Sequence, residues 1–191
     1  MSIVSPRLPV NLSIPFGSVI GLYAAVARHG FDAVTERLRI ERESGPPTRG
    51  LLKAIVLSYG LFGLERPHLY RVMHWPAVWS RLAELNESAA ANESGKRSAE
   101  ESWLRDAEAA RDRAFAELVI AVQLGQAGGG LSSKHISTDV VRVLTSLVDG
   151  YLFQTLFERI DGPVEILRDK LDLYIRMVID GLGSAAKRKV S

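Results

Sequence analysis

The side chains with the widest chemical repertoire are spread thinly along this chain. Its four histidines, His29, His68, His74 and His135, include no pair at the i, i+4 spacing that puts two ligands on one helical face. His68 and His74 stand six residues apart, which points them to different sides of a helix. There is no cysteine, so thiolate metal sites and disulfides are excluded, as a reducing compartment would favour. The glycine run Gly128–Gly130 follows a helical pattern rather than a strand, the wrong order for a loop that cradles phosphate. No G-x-S-x-G elbow occurs, and no nucleophile has a base near it in sequence. The expectation is a protein with no catalytic residues, no metal and no cofactor: not an enzyme.

Binding is the better prospect. Tyr59, Phe62, His68, Tyr70, Met73, Trp103 and Phe115, with Trp75 and Trp79, gather aromatic and soft surface into the middle of the chain. Small-molecule pockets are mostly apolar with a few polar handles, which tyrosine hydroxyls, indole N–H groups and His68 would supply. Taken singly, each of these residues also reads as ordinary core.

Positioning them falls to helices. Residues 1–17 hold three prolines and no helical period, an irregular arm ahead of one all-helical domain, 18–191. Ser18 is a good N-cap for a first helix to about Arg42, with Tyr23, Ala27, Phe31, Val34 and Leu38 at three- and four-residue steps. Pro47 can start a second, 47–65, carried by Leu52, Ile55, Tyr59 and Phe62. Interior Gly60 and Gly63 there suggest close helix packing. Pro67 and Pro76 open two short helices, the latter to about Leu85. The patch 86–98 lacks large apolar side chains and reads as a loop. Ser98 and Glu101 form a capping box for a helix over 99–126. The run Asp139–Ile160 is apolar on more than one face, and after Asp161-Gly162-Pro163 a last helix, 163–182, carries Leu167, Leu171, Tyr174, Val178 and Leu182. No strand pattern appears, so the fold class is all-α.

Of 191 residues, 47% are hydrophobic and 24% charged, ordinary for a soluble globular domain. A net charge of +2 is too small to attract nucleic acid by field alone. The basic cluster Lys187–Lys189 reads as a solubilising tail. A signal-peptide reading of Val19–Ala27 fails because Pro15 and Gly17 precede it and its apolar period continues unbroken. No stretch approaches the length of a membrane span, and the expected location is cytoplasmic.

The stretch Phe62–Met73, F-G-L-E-R-P-H-L-Y-R-V-M, resembles a segment in the ligand-binding domain of tetracycline-repressor (TetR) family regulators, A/F-x-x-x-H-P-x-L-Y-R-x-M. Pro67, Leu69, Tyr70, Arg71 and Met73 match; Arg66 replaces the usual histidine. At 145–150 the family's W-x-x-x-H-G is kept only as Leu147-Val148 and Gly150. Phe16-Gly17-Ser18 with Leu22-Tyr23 is similar to the F-G-S-K-E-x-L-Y that closes the family's helix-turn-helix, with Val19 in place of its lysine. The DNA-reading helices would lie ahead of that point, where this sequence has fifteen residues.

The resemblance implies a transcriptional regulator with a truncated helix-turn-helix, a small apolar or aromatic effector, and a C-terminal antiparallel helix pair forming a four-helix homodimer interface. The interface would use Leu144, Leu147, Tyr151, Leu152, Leu167, Leu171, Tyr174 and Val178. DNA would be a partner only through a helix-turn-helix supplied upstream. The alternative is a stand-alone helical interaction module that forms mixed dimers with full-length regulators.

Overall fold

In a computed structural model, residues 15–89, 97–157 and 163–182 are described, and their regular structure is entirely helical. The elements are α1 (Val19–Glu43), α2 (Arg49–Glu65), α3 (Pro67–Met73), α4 (Pro76–Ala89), α5 (Ala99–Ala127), α6 (Ser137–Phe157) and α7 (Val164–Gly181).

Backbone chemistry sets most of these boundaries. The Ser18 hydroxyl accepts from Gly21 N–H at 3.0 Å, capping α1 after Gly17, whose φ of 72° suits glycine. The second helix begins at Arg49 rather than Pro47, because the Thr48 hydroxyl accepts from Leu51 N–H at 3.2 Å and so becomes the N-cap. Its last turn closes with Arg66 N–H donating to Phe62 O at 3.0 Å. Pro67, lacking an N–H, then occupies the first position of α3, and Pro76 does the same for α4. The fourth helix runs past Leu85 to Ala89, into the patch expected to be a loop. Nothing in Asn86-Glu87-Ser88 breaks a helix, and the Ser88 hydroxyl donates to Glu84 O at 2.8 Å. Ser98 Oγ accepts from Glu101 N–H at 3.1 Å, as the capping box requires. Residues 1–14 of the expected arm, the rest of the loop (90–96), residues 158–162 and the basic tail lie outside the described residues, while Pro15 and Phe16 of the arm are helical.

The chain divides into two compact units, one of Met1–Ala33 with His68–Arg113 and one of Val34–Pro67 with Ala114–Ser191. In the first, Ala24, Ala27 and Ala107 join Val78, Leu82 and Leu104 in a buried cluster flanked by Tyr23, Trp79 and Trp103. Three alanines let helices approach closely, and the aromatic bodies cover the gaps. The Trp79 indole N–H donates to Met73 O at 2.9 Å, so this large ring packs without leaving its polar atom unpaired.

In the second unit, α2 packs against both α6 and α7, which also pack on each other. Gly60 makes this possible, since a Cβ there would collide with the Leu171 side chain and crowd Val148. The inward stripe of α7 is Leu167, Leu171, Ile175 and Ile179, each at most 8% exposed. Tyr174 and Val178, expected in that stripe, turn outward or sit half-buried. The helix is apolar on two adjoining faces, and the steps of four residues, not the alternating three and four, follow the core.

Two outcomes test this packing. Gly60→Ala gains about 1 kcal/mol of helix propensity but must displace a fully buried leucine, and overpacking costs about 1–3 kcal/mol. Urea unfolding should therefore show net destabilisation; a gain in stability would contradict the close approach. In the first unit, burial raises the Glu100 carboxyl pKa, but hydrogen bonds from Ser18 and Arg81 outweigh it and leave the pKa lowered. A lowered folded pKa contributes stability above the unfolded value of about 4.3–4.5, lost as pH falls through the folded value. Glu100→Gln should thus flatten the acid limb of the stability profile in chemical denaturation.

Candidate functional site

The residues expected to border a pocket fall in both units: Tyr59, Phe62 and Phe115 in the second, His68, Tyr70, Met73 and Trp103 in the first.

In the second unit Tyr59 is 6% exposed, with its hydroxyl donating to Asp149 Oδ1 at 2.7 Å. It borders a seam among α2, α5 and α6 whose other walls are Leu52, Val56, Leu118, Val122, Val141, Leu144 and Thr145. The seam is lined by apolar groups and admits no water molecule. Phe62 is buried, with the Arg66 guanidinium 5.5 Å from its ring centroid, while Phe115 is half-buried. Arg66, the departure from the family segment, thus makes a cation–π contact with the first residue of that segment. Asp149 was missed in the sequence. The signal was a lone carboxylate inside the apolar run of α6, which needs a polar partner if it is to pack there.

In the first unit Tyr70 and Met73 are buried and His68 is exposed. On a short helix, residues 70 and 73 share a face that 68 cannot join, so His68 faces solvent. The Tyr70 ring lies 4.3 Å from His74, and Phe31 meets His74 edge-on at 5.9 Å. Trp103 is half-buried; its indole N–H donates to Pro15 O at 2.9 Å. Among the described residues no group of histidines and carboxylates is placed to hold a metal ion. No described helix is long and apolar enough to cross a membrane.

The helix pair α6–α7 presents a second feature. Leu144, Leu152, Leu167 and Leu171, expected at a dimer interface, are buried within the second unit's own core. They are already covered by the protomer's own helices. Leu147, Tyr151 and Val178 are half-buried and Tyr174 is exposed. Beside them run two outward stripes at alternating steps of four and three: Val143, Leu147, Gly150 and Gln154 on α6, and Ile166, Lys170, Leu173 and Met177 on α7. Val143 is 54% exposed, Leu173 49% and Met177 66%. The Tyr151 and Tyr174 rings meet edge-on at 5.8 Å and join the stripes into one face. The Tyr151 hydroxyl donates to Leu167 O at 2.8 Å, and burial pushes its pKa up, so it stays a donor.

Comparison with protein-family models gives no match, and neither does comparison with curated proteins. Among solved structures, the chain is similar to a protein of unknown function from Rhodococcus sp. RHA1, at a TM-score of 0.64 and 18% identity. That likeness covers 88% of this chain and 77% of the other. At this identity it establishes a shared all-helical fold.

Removing the Tyr59 hydroxyl leaves the Asp149 carboxylate short of a donor in a half-buried position. Tyr59→Phe should cost about 1–3 kcal/mol in urea unfolding. A change within a few tenths would mean that water replaces the lost donor without penalty.

Proposed function

We propose that this chain is the effector-sensing and dimerising part of a regulator resembling the tetracycline-repressor family. The observation that carries the reading is the outward face of α6 and α7. Exposed apolar surface arranged in a continuous patch marks interaction sites more often than chance exposure does. Steps of four and three along both helices are the spacing by which helices interlock side by side in bundles.

A second copy of this chain is the occupant that fits. An isologous interface must be complementary to itself, which an apolar stripe satisfies and a single-sign charged stripe does not. Val143, Leu173 and Met177 would supply buried area, and Gly150, with nothing within 4 Å of an added Cβ, would let the partner's backbone approach. Lys170 and Gln154 interrupt the stripes and would fix register, the usual effect of a polar residue in such a seam.

The effector in this reading is small and apolar or aromatic, and it enters the seam beside Tyr59 by parting α2 from α5 and α6. The Tyr59 hydroxyl, which donates to Asp149, would be the polar group at the edge of that apolar lining. The seam admits no water molecule, so binding would draw on a minor state in which these helices part.

Light scattering on the purified chain at tens of micromolar should report a dimer. Leu173→Glu with Met177→Glu, both at exposed positions, should give a monomer of unchanged helicity. A monomeric wild-type chain, or a double variant that remains dimeric, would sink the interface.

A further inference from the structure

The first unit carries an open cleft of about 260 Å³, bordered by Ala25, Arg28, His29, Asp32 and Trp103. We propose that this cleft binds a small aromatic carboxylate. The inference stands apart from the regulator reading, and of the residues expected to border its pocket it uses Trp103 alone.

The argument begins with Arg28. Its Nε lies 3.5 Å from Asp32 Oδ2 and its Nη1 lies 3.6 Å from Asp106 Oδ2. Charge-assisted hydrogen bonds between such groups are normally about 2.7–2.9 Å, so both contacts are loose. Asp32 has a tighter partner, accepting from Arg113 Nη2 at 2.8 Å. A guanidinium has five N–H donors in a planar fork that matches a carboxylate. Arg28 therefore keeps donor capacity at the cleft, while the aspartate it faces is satisfied elsewhere.

The wall is fixed in advance. Trp103 cannot turn freely, because its indole N–H is held by Pro15 O and Phe16 packs against its ring at 5.7 Å. The Arg28 guanidinium lies 5.6 Å from the Trp103 ring centroid, which orients the fork. Trp103 and Ala25 give an apolar wall, and exposed His29 adds a polar group at the rim.

These features define the ligand. The volume lies just under the roughly 300 Å³ at which drug-sized sites begin, so the ligand is fragment-sized. Arg28 and Arg113 are balanced by Asp32 and Asp106, so these four groups carry no net charge, which disfavours a phosphate or dicarboxylate and leaves recognition of one carboxylate to the Arg28 fork. A flat apolar body suits the indole wall, and guanidinium groups stack readily on aromatic planes.

The test is titration of the full chain with benzoate and with its neutral analogue benzamide. It would be followed by calorimetry and by the indole N–H resonance of Trp103, assigned with Trp103→Phe. Benzoate should bind saturably, about tenfold or more tighter than benzamide, and shift that resonance. Arg28→Gln should remove the preference. Arg28→Lys, which keeps the charge but not the fork, should weaken benzoate about fivefold or more. Absence of saturable benzoate binding, equal binding of both compounds, or an unmoved Trp103 signal would each overturn the proposal. So would a folded Arg28→Gln variant that still prefers benzoate. If that variant fails to fold, the two-compound comparison on the unaltered chain decides alone.

Discussion

Gly60 is the point on which the second unit depends. A side chain there would strike Leu171, so only glycine lets α2 lie close enough to reach α6 and α7 together. With α2 seated this way, Leu167, Leu171, Ile175 and Ile179 on α7 and Val141, Leu144, Val148 and Leu152 on α6 find cover. Both helices have more apolar surface than one neighbour can hide. What remains faces outward, a consequence of how the core is filled.

Polar contacts in this unit fix alignment more than they add stability. Arg37 donates to the buried Ser58 hydroxyl from Nε and to both Glu65 oxygens from its terminal nitrogens. That fork locks α1 and α2 in one relative position. The Arg37 hydrogen bond also holds the Glu65 carboxyl below its usual range despite partial burial. Arg42 and Glu117 pair at 2.8 Å with little exposure. Pairs such as Arg39 with Glu36 and Glu43 lie open to solvent, where ion pairs contribute little.

Much of this was legible from residue types alone. Ser18, Ser98, Pro67 and Pro76 mark helix starts through local backbone chemistry, and the structure places them where that chemistry requires. Less legible was anything decided by a distant neighbour. Along α7, Leu167-Leu171-Tyr174-Val178 and Leu167-Leu171-Ile175-Ile179 are both acceptable apolar stripes, and only the position of α2 selects the second. For the same reason Leu144 and Leu171 read equally well as core or as interface, since they look alike in sequence whether they cover their own protomer or another. His68 was drawn toward the pocket by its neighbours in sequence, yet on a helix those neighbours turn the other way. Asn86-Glu87-Ser88 lacked an apolar face, but a helix already under way needs none to continue for one more turn.

The Tyr59–Asp149 bond joins positions 90 residues apart beside the apolar seam that Tyr59 borders. Losing one member takes a hydrogen-bond partner from the other, whereas losing both for apolar groups of similar shape costs less. The two sites are therefore bound to a common evolutionary path. Descendants of this sequence should keep the tyrosine with the carboxylate or abandon both, and those that abandon both would trade a fixed link between two distant helices for plain apolar packing.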